Sequence, residues 1–392
     1  MKPFQISIAD EQIEDLKKRV RQARWPGSIF QSGDEDGVSL ALVQKLATRW
    51  SDEFDWRARE AQLNELPQFT VDIDGQDIHF IHKKGAGPNA RPLILTHGWP
   101  GSFVEFERII PLLTDPGSHG GDPRNAFDVV VPSLPGFGFS AAPRQPGFSA
   151  RRVAGLWQKL MLQLGYERYF AQGGDIGAGV SAWLAALYPG SVEGVHLNYI
   201  PGSFRPPLGA DYPAITSEEQ QFLDRATMFA SVEGAYSLLQ ATKPQTLSFS
   251  LSDSPIGLLG WIAEKFASWS DCDGDLETVI SADALLTNVS IYWFGNTIDS
   301  SLRMYKENRL QPFSFPGVSS VNVPMSFAHF PKELPTPPRS WVERMFNVRR
   351  WTDMPKGGHF AALEQPELLA RDIQDSFPLE NRPDDRALLI SG

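Results

Sequence analysis

The stretch that decides the fold reads Phe170-Ala171-Gln172-Gly173-Gly174-Asp175-Ile176-Gly177-Ala178-Gly179. The apolar run from Tyr169 to Gln172 predicts a short buried strand, and the small residues beyond it open a helix. Between the two lies Gly-x-Asp-x-Gly. A sharp strand-to-helix turn needs small residues on each side so that the central side chain stands clear of the sheet. Ser is the usual occupant of such a turn; here it is Asp175. An ionised carboxylate is already a nucleophile at neutral pH and needs no base. It suits attack on an sp³ carbon bearing a strained or good leaving group, and not the acyl transfer of a serine esterase. The helix N-terminus that follows favours negative charge beside it. Asp and Gly also make plain turns, so the segment alone reads either way. Gly177-Ala178-Gly179-Val180-Ser181-Ala182 fits the loose G-x-G-x-x-A form of a dinucleotide loop. That match begins several residues after the strand and sits too deep in the chain for a first βα unit.

Working outward, short apolar runs recur at Pro92 to Thr96, Phe127 to Pro132 and Val195 to Ile200, with a helical stretch at Ser149 to Leu164. Buried apolar strands alternating with helices predict a mostly parallel α/β sheet. Phe69 to Ile73 and Ile78 to His82, separated by Gly75, predict a hairpin at its edge. Residues 1–68 read as a helical extension: Asp10 to Ala23 with Asp10 as its cap, Ser39 to Trp50, and a third piece ending at Leu66. Residues 69–200 are the first part of the α/β core. In 201–315 the strand signals fade, while Gln220 to Leu239 and Pro255 to Trp269 read as helices, which predicts a helical lid. Residues 316–392 return to the core, with strands at Val323 to Phe330 and Asn347 to Trp351 and a last helix from Glu364 to Phe377.

Composition narrows the class. With 42% hydrophobic and 21% charged residues, the 392-residue chain reads as a soluble globular protein able to bury a core without staples. A net charge of −11 argues against nucleic acid as a partner, and Lys17-Lys18-Arg19 reads as a solvated helix face. The single cysteine, Cys272, excludes an intrachain disulfide and has no activating base nearby in sequence. The first residues lack the apolar run of a signal peptide, and no stretch reaches 18 apolar residues. The expectation is a cytoplasmic protein without a membrane anchor.

An Asp nucleophile needs a base for a second step. His359, in Met354-Pro355-Lys356-Gly357-Gly358-His359, follows the last strand signal, where a loop can reach the top of the sheet. The other six histidines lie in strands or in other motifs. The acid that orients His359 should follow a core strand between nucleophile and base. Glu333, after Val323 to Phe330, fits; Asp353 competes but lies close to His359 in sequence. His97-Gly98-Trp99-Pro100-Gly101-Ser102 follows another strand. Its turn can aim the Trp99 N–H at the site, to pair with that of Ile176 as an oxyanion hole; a plain Gly-Pro turn is the alternative.

The chain resembles the microsomal-type epoxide hydrolases, including their soluble bacterial and fungal members. The resemblance rests on Trp50 to Arg57 with the extension before it, His97 to Phe106, Ser133 to Ser140, Gly173 to Gly177, Phe330 to Glu333 and Gly357 to Pro366. It implies the α/β-hydrolase fold, with helices on both faces of the sheet and a helical lid. It also implies Asp175 as nucleophile, Glu333 as acid, His359 as base, and two lid tyrosines, Tyr236 and Tyr305, that donate to the epoxide oxygen. A phenol, at about pKa 10, protonates an alkoxide far better than water does. The implied substrates are a small apolar epoxide and water, with no metal or organic cofactor, and a homodimer is compatible with it. Lid aromatics Phe222, Phe229, Trp261, Phe266, Trp269, Trp293 and Phe294 suggest an apolar substrate, though such residues also pack cores. Two rivals stand beside this reading. A haloalkane dehalogenase shares the Asp nucleophile, but often carries Trp or Arg where Ile176 stands. A non-catalytic ligand-binding homologue would lose a nucleophile or base, and here every position is filled.

Overall fold

Asp175 opens a helix two residues after the end of a strand, in a sheet of nine strands among the described residues. The computed structural model describes residues 1–27, 36–87, 89–209, 213–312 and 320–378. The strands are β1 (Lys2–Phe4), β2 (Gln68–Ile73), β3 (Gln76–Lys83), β4 (Arg91–Thr96), β5 (Phe127–Pro132), β6 (Tyr169–Gly173), β7 (Val192–Leu197), β8 (Val321–His329) and β9 (Phe346–Asp353). They lie in the order β1-β2-β3-β5-β4-β6-β7-β8-β9. The first three pairings are antiparallel and the other five parallel. Every residue of β5 is buried, Asp128 included, as in a strand covered on both faces.

The order explains where a site can form. From β4 the chain steps one way to β5, then reverses over β4 to reach β6. Right-handed crossovers in opposite directions put their helices on opposite faces of the sheet. Accordingly helix Ala150–Gln163 packs on helix Asp175–Leu187, while helix Ile109–Thr114 packs on helix Pro366–Ser376. The loops after β4 and β6 diverge at this reversal and leave a crevice at the strands' carboxyl ends.

The hairpin appears as β2 and β3, but residues 1–68 are not wholly helical. Lys2–Phe4 forms an edge strand on β2, too short and mixed in character to show in the sequence. Asp10 is the first residue of helix Asp10–Arg21 and not its cap, a position held by Ala9. Ser39 and Asp55 cap the next two helices, Leu40–Asp52 and Trp56–Leu63, through their side chains. These helices grip a helix far along the chain, Ala282–Gly295. Trp50 Nε1 donates to Ser290 Oγ (2.9 Å), Arg49 forks onto Asp283 (2.7 and 2.9 Å), and Trp56 packs against Phe294 at 4.9 Å.

Among the described residues six α-helices lie between β7 and β8: Ser217–Val232, Ala235–Thr242, Pro244–Asp253, Pro255–Trp269, Ala282–Gly295 and Ile298–Leu310. The single helix expected from Gln220 to Leu239 is broken. Gly234, a weak helix former, turns so tightly that a Cβ there would lie 2.4 Å from the Ala230 carbonyl oxygen. Tyr236 therefore starts a new helix with its own direction. The last helix is likewise split at Gln365, into Ala361–Glu364 and Pro366–Ser376. The expected boundary at 315/316 lies outside the described residues, as do residues 379–392. Among the described residues no helix is long and apolar enough to cross a membrane.

Candidate active site

Asp175 sits at the turn with φ +47°, a left-handed conformation that costs an ordinary residue energy and marks sites where geometry outweighs comfort. Close packing holds it there. A Cβ on Gly177 would lie 1.9 Å from the Thr96 carbonyl oxygen, and one on Gly98 2.3 Å from Asp175 itself. The helix can thus start directly against the loop after β4. That loop presents the Trp99 N–H, which donates to Asp175 Oδ1 at 2.8 Å. The Trp99–Pro100 peptide is cis. Helix Ala282–Gly295 fixes the same loop: Asn288 Nδ2 donates to the Pro100 carbonyl (2.7 Å) and the Tyr292 hydroxyl to that of Gly101 (2.8 Å). The N-terminal helices that grip this helix therefore brace the site at one remove. Ile176 follows Asp175 in the first turn of its helix; among the described residues its N–H makes no hydrogen bond to the resting carboxylate, and Trp99 alone donates to it.

His359 approaches the other carboxylate oxygen, with Nε2 3.5 Å from Asp175 Oδ2. Its Nδ1 bonds to Glu333 Oε1 at 2.6 Å. Both the His359 and Glu333 side chains are almost wholly enclosed. Glu333 follows β8, where Oε1 also accepts from the Leu334 N–H (2.7 Å), and a parallel bridge between Lys332 and Gly358 ties its loop to that of His359. Burial disfavours the His359 imidazolium. The Glu333 and Asp175 carboxylates outweigh that and hold its pKa well above the ordinary histidine value. Asp353, the competing acid, sits on the surface at the end of β9, paired with His329.

Tyr236 and Tyr305 meet above this group. Their rings lie 5.9 Å apart, edge to face. Tyr236 stacks on the Trp99 indole at 5.5 Å, and Tyr305 meets its edge at 5.6 Å. Burial raises the pKa of both, with the Asp175 carboxylate adding to each. They are neutral donors at any working pH.

The remaining histidines have other partners. His79 bonds to Ser133 and Gln68 (2.9 Å each) and His97 Nε2 accepts from the Leu134 N–H. Burial drives these two down to about 3 and about 4. They hold the Ser133–Ser140 segment as neutral rings. His196 pairs with Asp372. Three of the seven lid aromatics pack elsewhere: Phe222 on Trp341, Phe266 on Phe360, Phe294 on Trp56. Trp269 alone among these four meets the site, touching both Tyr236 and His359.

Sequence reasoning overlooked several residues here. Tyr199 lies edge-on to His359 at 5.4 Å. Glu364 accepts the backbone N–H groups of Gly358 and Phe360, on either side of His359, and that of Asp271 (2.8–2.9 Å). Glu105 lines the cavity beside Asp175 and His359. Glu105 and Glu364 fall within the short matched segments His97 to Phe106 and Gly357 to Pro366, whereas Tyr199 lies in none and carries no mark beyond the apolar run Val195 to Ile200.

Comparison with known proteins shows the family of the chain. The model of the epoxide hydrolase N terminus matches residues 1–106, and that of the alpha/beta hydrolase fold matches residues 91–239. The chain is 43% identical to a putative epoxide hydrolase of Stigmatella aurantiaca, over 96% of this chain and 84% of that protein. It is 40% identical to epoxide hydrolase 1 of Oryctolagus cuniculus, over 95% and 88%. The structure of Aspergillus niger epoxide hydrolase superposes with a TM-score of 0.83 at 35% identity, covering 96% of this chain and 95% of that one. The chain has the α/β-hydrolase fold and belongs to the epoxide hydrolase family.

Proposed function

We propose that the chain hydrolyses a small apolar epoxide to a vicinal diol through an ester on Asp175. The observation that carries this is the split environment of the carboxylate. Oδ1 is held by the Trp99 N–H, while Oδ2 faces His359 Nε2 at 3.5 Å and, among the described residues, accepts no shorter hydrogen bond. An oxygen so placed is free to attack, and its partner already occupies the position in which charge will develop. Oδ2 attacks an epoxide carbon and the C–O bond breaks. A proton from Tyr236 or Tyr305 passes to the alkoxide. Water, losing a proton to His359, then adds to Cγ of Asp175, with Trp99 and Ile176 donating to the oxyanion. The alkyl oxygen leaves with the His359 proton. The acid proton left on Asp175 replaces the one the tyrosine gave, so the cycle closes. The helices of 201–315 act as a lid that keeps bulk water from the ring, in a cytoplasmic enzyme. Esterification of Asp175 removes one of the two anions that hold a proton on His359, so the ring gives that proton up more readily and is neutral, free to accept one from water, when the second step begins.

Tyr236→Phe and Tyr305→Phe test the acid step. Each is expected to slow alkylation by about 10²-fold and the pair by more, with ester hydrolysis little changed, in rapid-quench assays. Full alkylation rates in both single variants and in the double variant would remove the phenols from the mechanism.

One observation favours a dehalogenase. Trp99 Nε1 and Trp269 Nε1 are buried donors with no hydrogen-bond partner among the described residues, and a departing halide takes such donors. The two phenols weigh more heavily, because a halide leaves without a proton; chloride release from a chloroalkane would reverse that judgement.

A further inference from the structure

Glu105 has no part in the steps above. It lies in the turn Phe103–Phe106, which follows the Trp99 loop. Its near neighbour Glu107 pairs with Arg59, whereas the Glu105 carboxyl makes no hydrogen bond to any described residue. It lines a cavity of about 20 Å³ together with Gly98, Gly174, Asp175, Asn198 and His359. That is room for about one water. Tyr236 and Tyr305 are not among the lining residues, so the cavity lies apart from the phenols that would hold the epoxide oxygen. The backbone reserves the place of the carboxyl: a Cβ on Gly101 would fall 1.3 Å from Glu105 Oε1. Burial raises the Glu105 carboxyl to about 8, His359 opposing and Asp175 adding. The residue keeps some accessible surface. At neutral pH it is mainly a neutral acid, with a carbonyl oxygen free to accept.

We propose that Glu105 holds the hydrolytic water in this cavity, accepting one of its hydrogens while His359 Nε2 takes the other. The inference rests on the ester mechanism above. The water oxygen bonds to Cγ of Asp175 and its proton goes to His359. The bond from Cγ to the alkyl oxygen then breaks, and His359 returns the proton to that oxygen. Glu105 keeps its own proton throughout.

The test is a rapid-quench time course with styrene oxide on the parent, Glu105→Gln and Glu105→Met, following the ester by intact-protein mass. Glu105→Met fills the same room without an acceptor. It should alkylate at the parent rate but hydrolyse the ester about 10²-fold more slowly, so that ester accumulates. Glu105→Gln keeps a carbonyl acceptor and should hydrolyse at nearly the parent rate. The alkylation rate reports the fold in each case. Hydrolysis at the parent rate in Glu105→Met, or equal losses in both steps in both variants, would overturn the proposal. A first-turnover diol from the parent that carries ¹⁸O when the reaction is run in ¹⁸O-water would overturn the Asp175 reading and this inference with it.

Discussion

Asp175→Asn is expected to abolish diol formation, with a loss of at least about 10⁴-fold in kcat and no covalent adduct. Few other substitutions leave so much of the site in place. Asn is among the few residues that adopt positive φ readily, so the turn at φ +47° survives the change. The amide oxygen still accepts from the Trp99 N–H, and thermal stability should hardly move. What disappears is the free anionic oxygen opposite His359. A second readout has a definite sign. The Asp175 carboxylate stabilises the His359 imidazolium, so its removal must lower the pKa of that ring, which NMR titration of the variant against the parent would measure. Activity within tenfold of the parent, or an unmoved histidine, would contradict the account.

His359→Gln should separate the two halves of the reaction. Asp175 needs no base to attack, so the variant is expected to alkylate once per site and stop. Ester hydrolysis should fall by about 10³-fold or more, and mass spectrometry should find the substrate on the peptide containing Asp175. Gln is preferable to Ala because Glu333 is buried with Oε2 unpartnered. Stripping a buried carboxylate of its partner costs about 3–5 kcal/mol, and an amide N–H can replace part of the lost bond. Multiple turnovers at the parent rate would place the base elsewhere.

Both experiments depend on residues that were legible before the fold was known, because their signals are local. Gly-Gly-Asp-Ile-Gly reads as a sharp turn, and it is the strand before it and the helix after it that favour a nucleophile over a plain turn. β5 and β6 announce themselves as short, mostly apolar runs. Tyr236 and Tyr305 are different: as two of eight tyrosines they carry no local mark and were singled out by family resemblance alone. Their approach to Trp99 depends on the break at Gly234, which the helical pattern from Gln220 to Leu239 conceals. Lys2–Phe4 joins the sheet only because β2 offers it an edge, 64 residues or more downstream. Glu105 and Glu107 are two residues apart and chemically identical; which one faces the cavity is decided by tertiary packing. The aromatic residues of the lid misdirect for the same reason, since composition does not separate a pocket wall from a core contact.

The central claim is that the oxygen added to the epoxide comes first from Asp175 and not from water. A single turnover of the purified protein, in excess over styrene oxide in ¹⁸O-water, tests it directly. The account predicts a first-turnover diol carrying only ¹⁶O, with ¹⁸O appearing in the peptide that contains Asp175. A first-turnover diol carrying ¹⁸O, with that peptide unlabelled, would mean that water attacks the ring itself, and the nucleophile assigned here would be wrong.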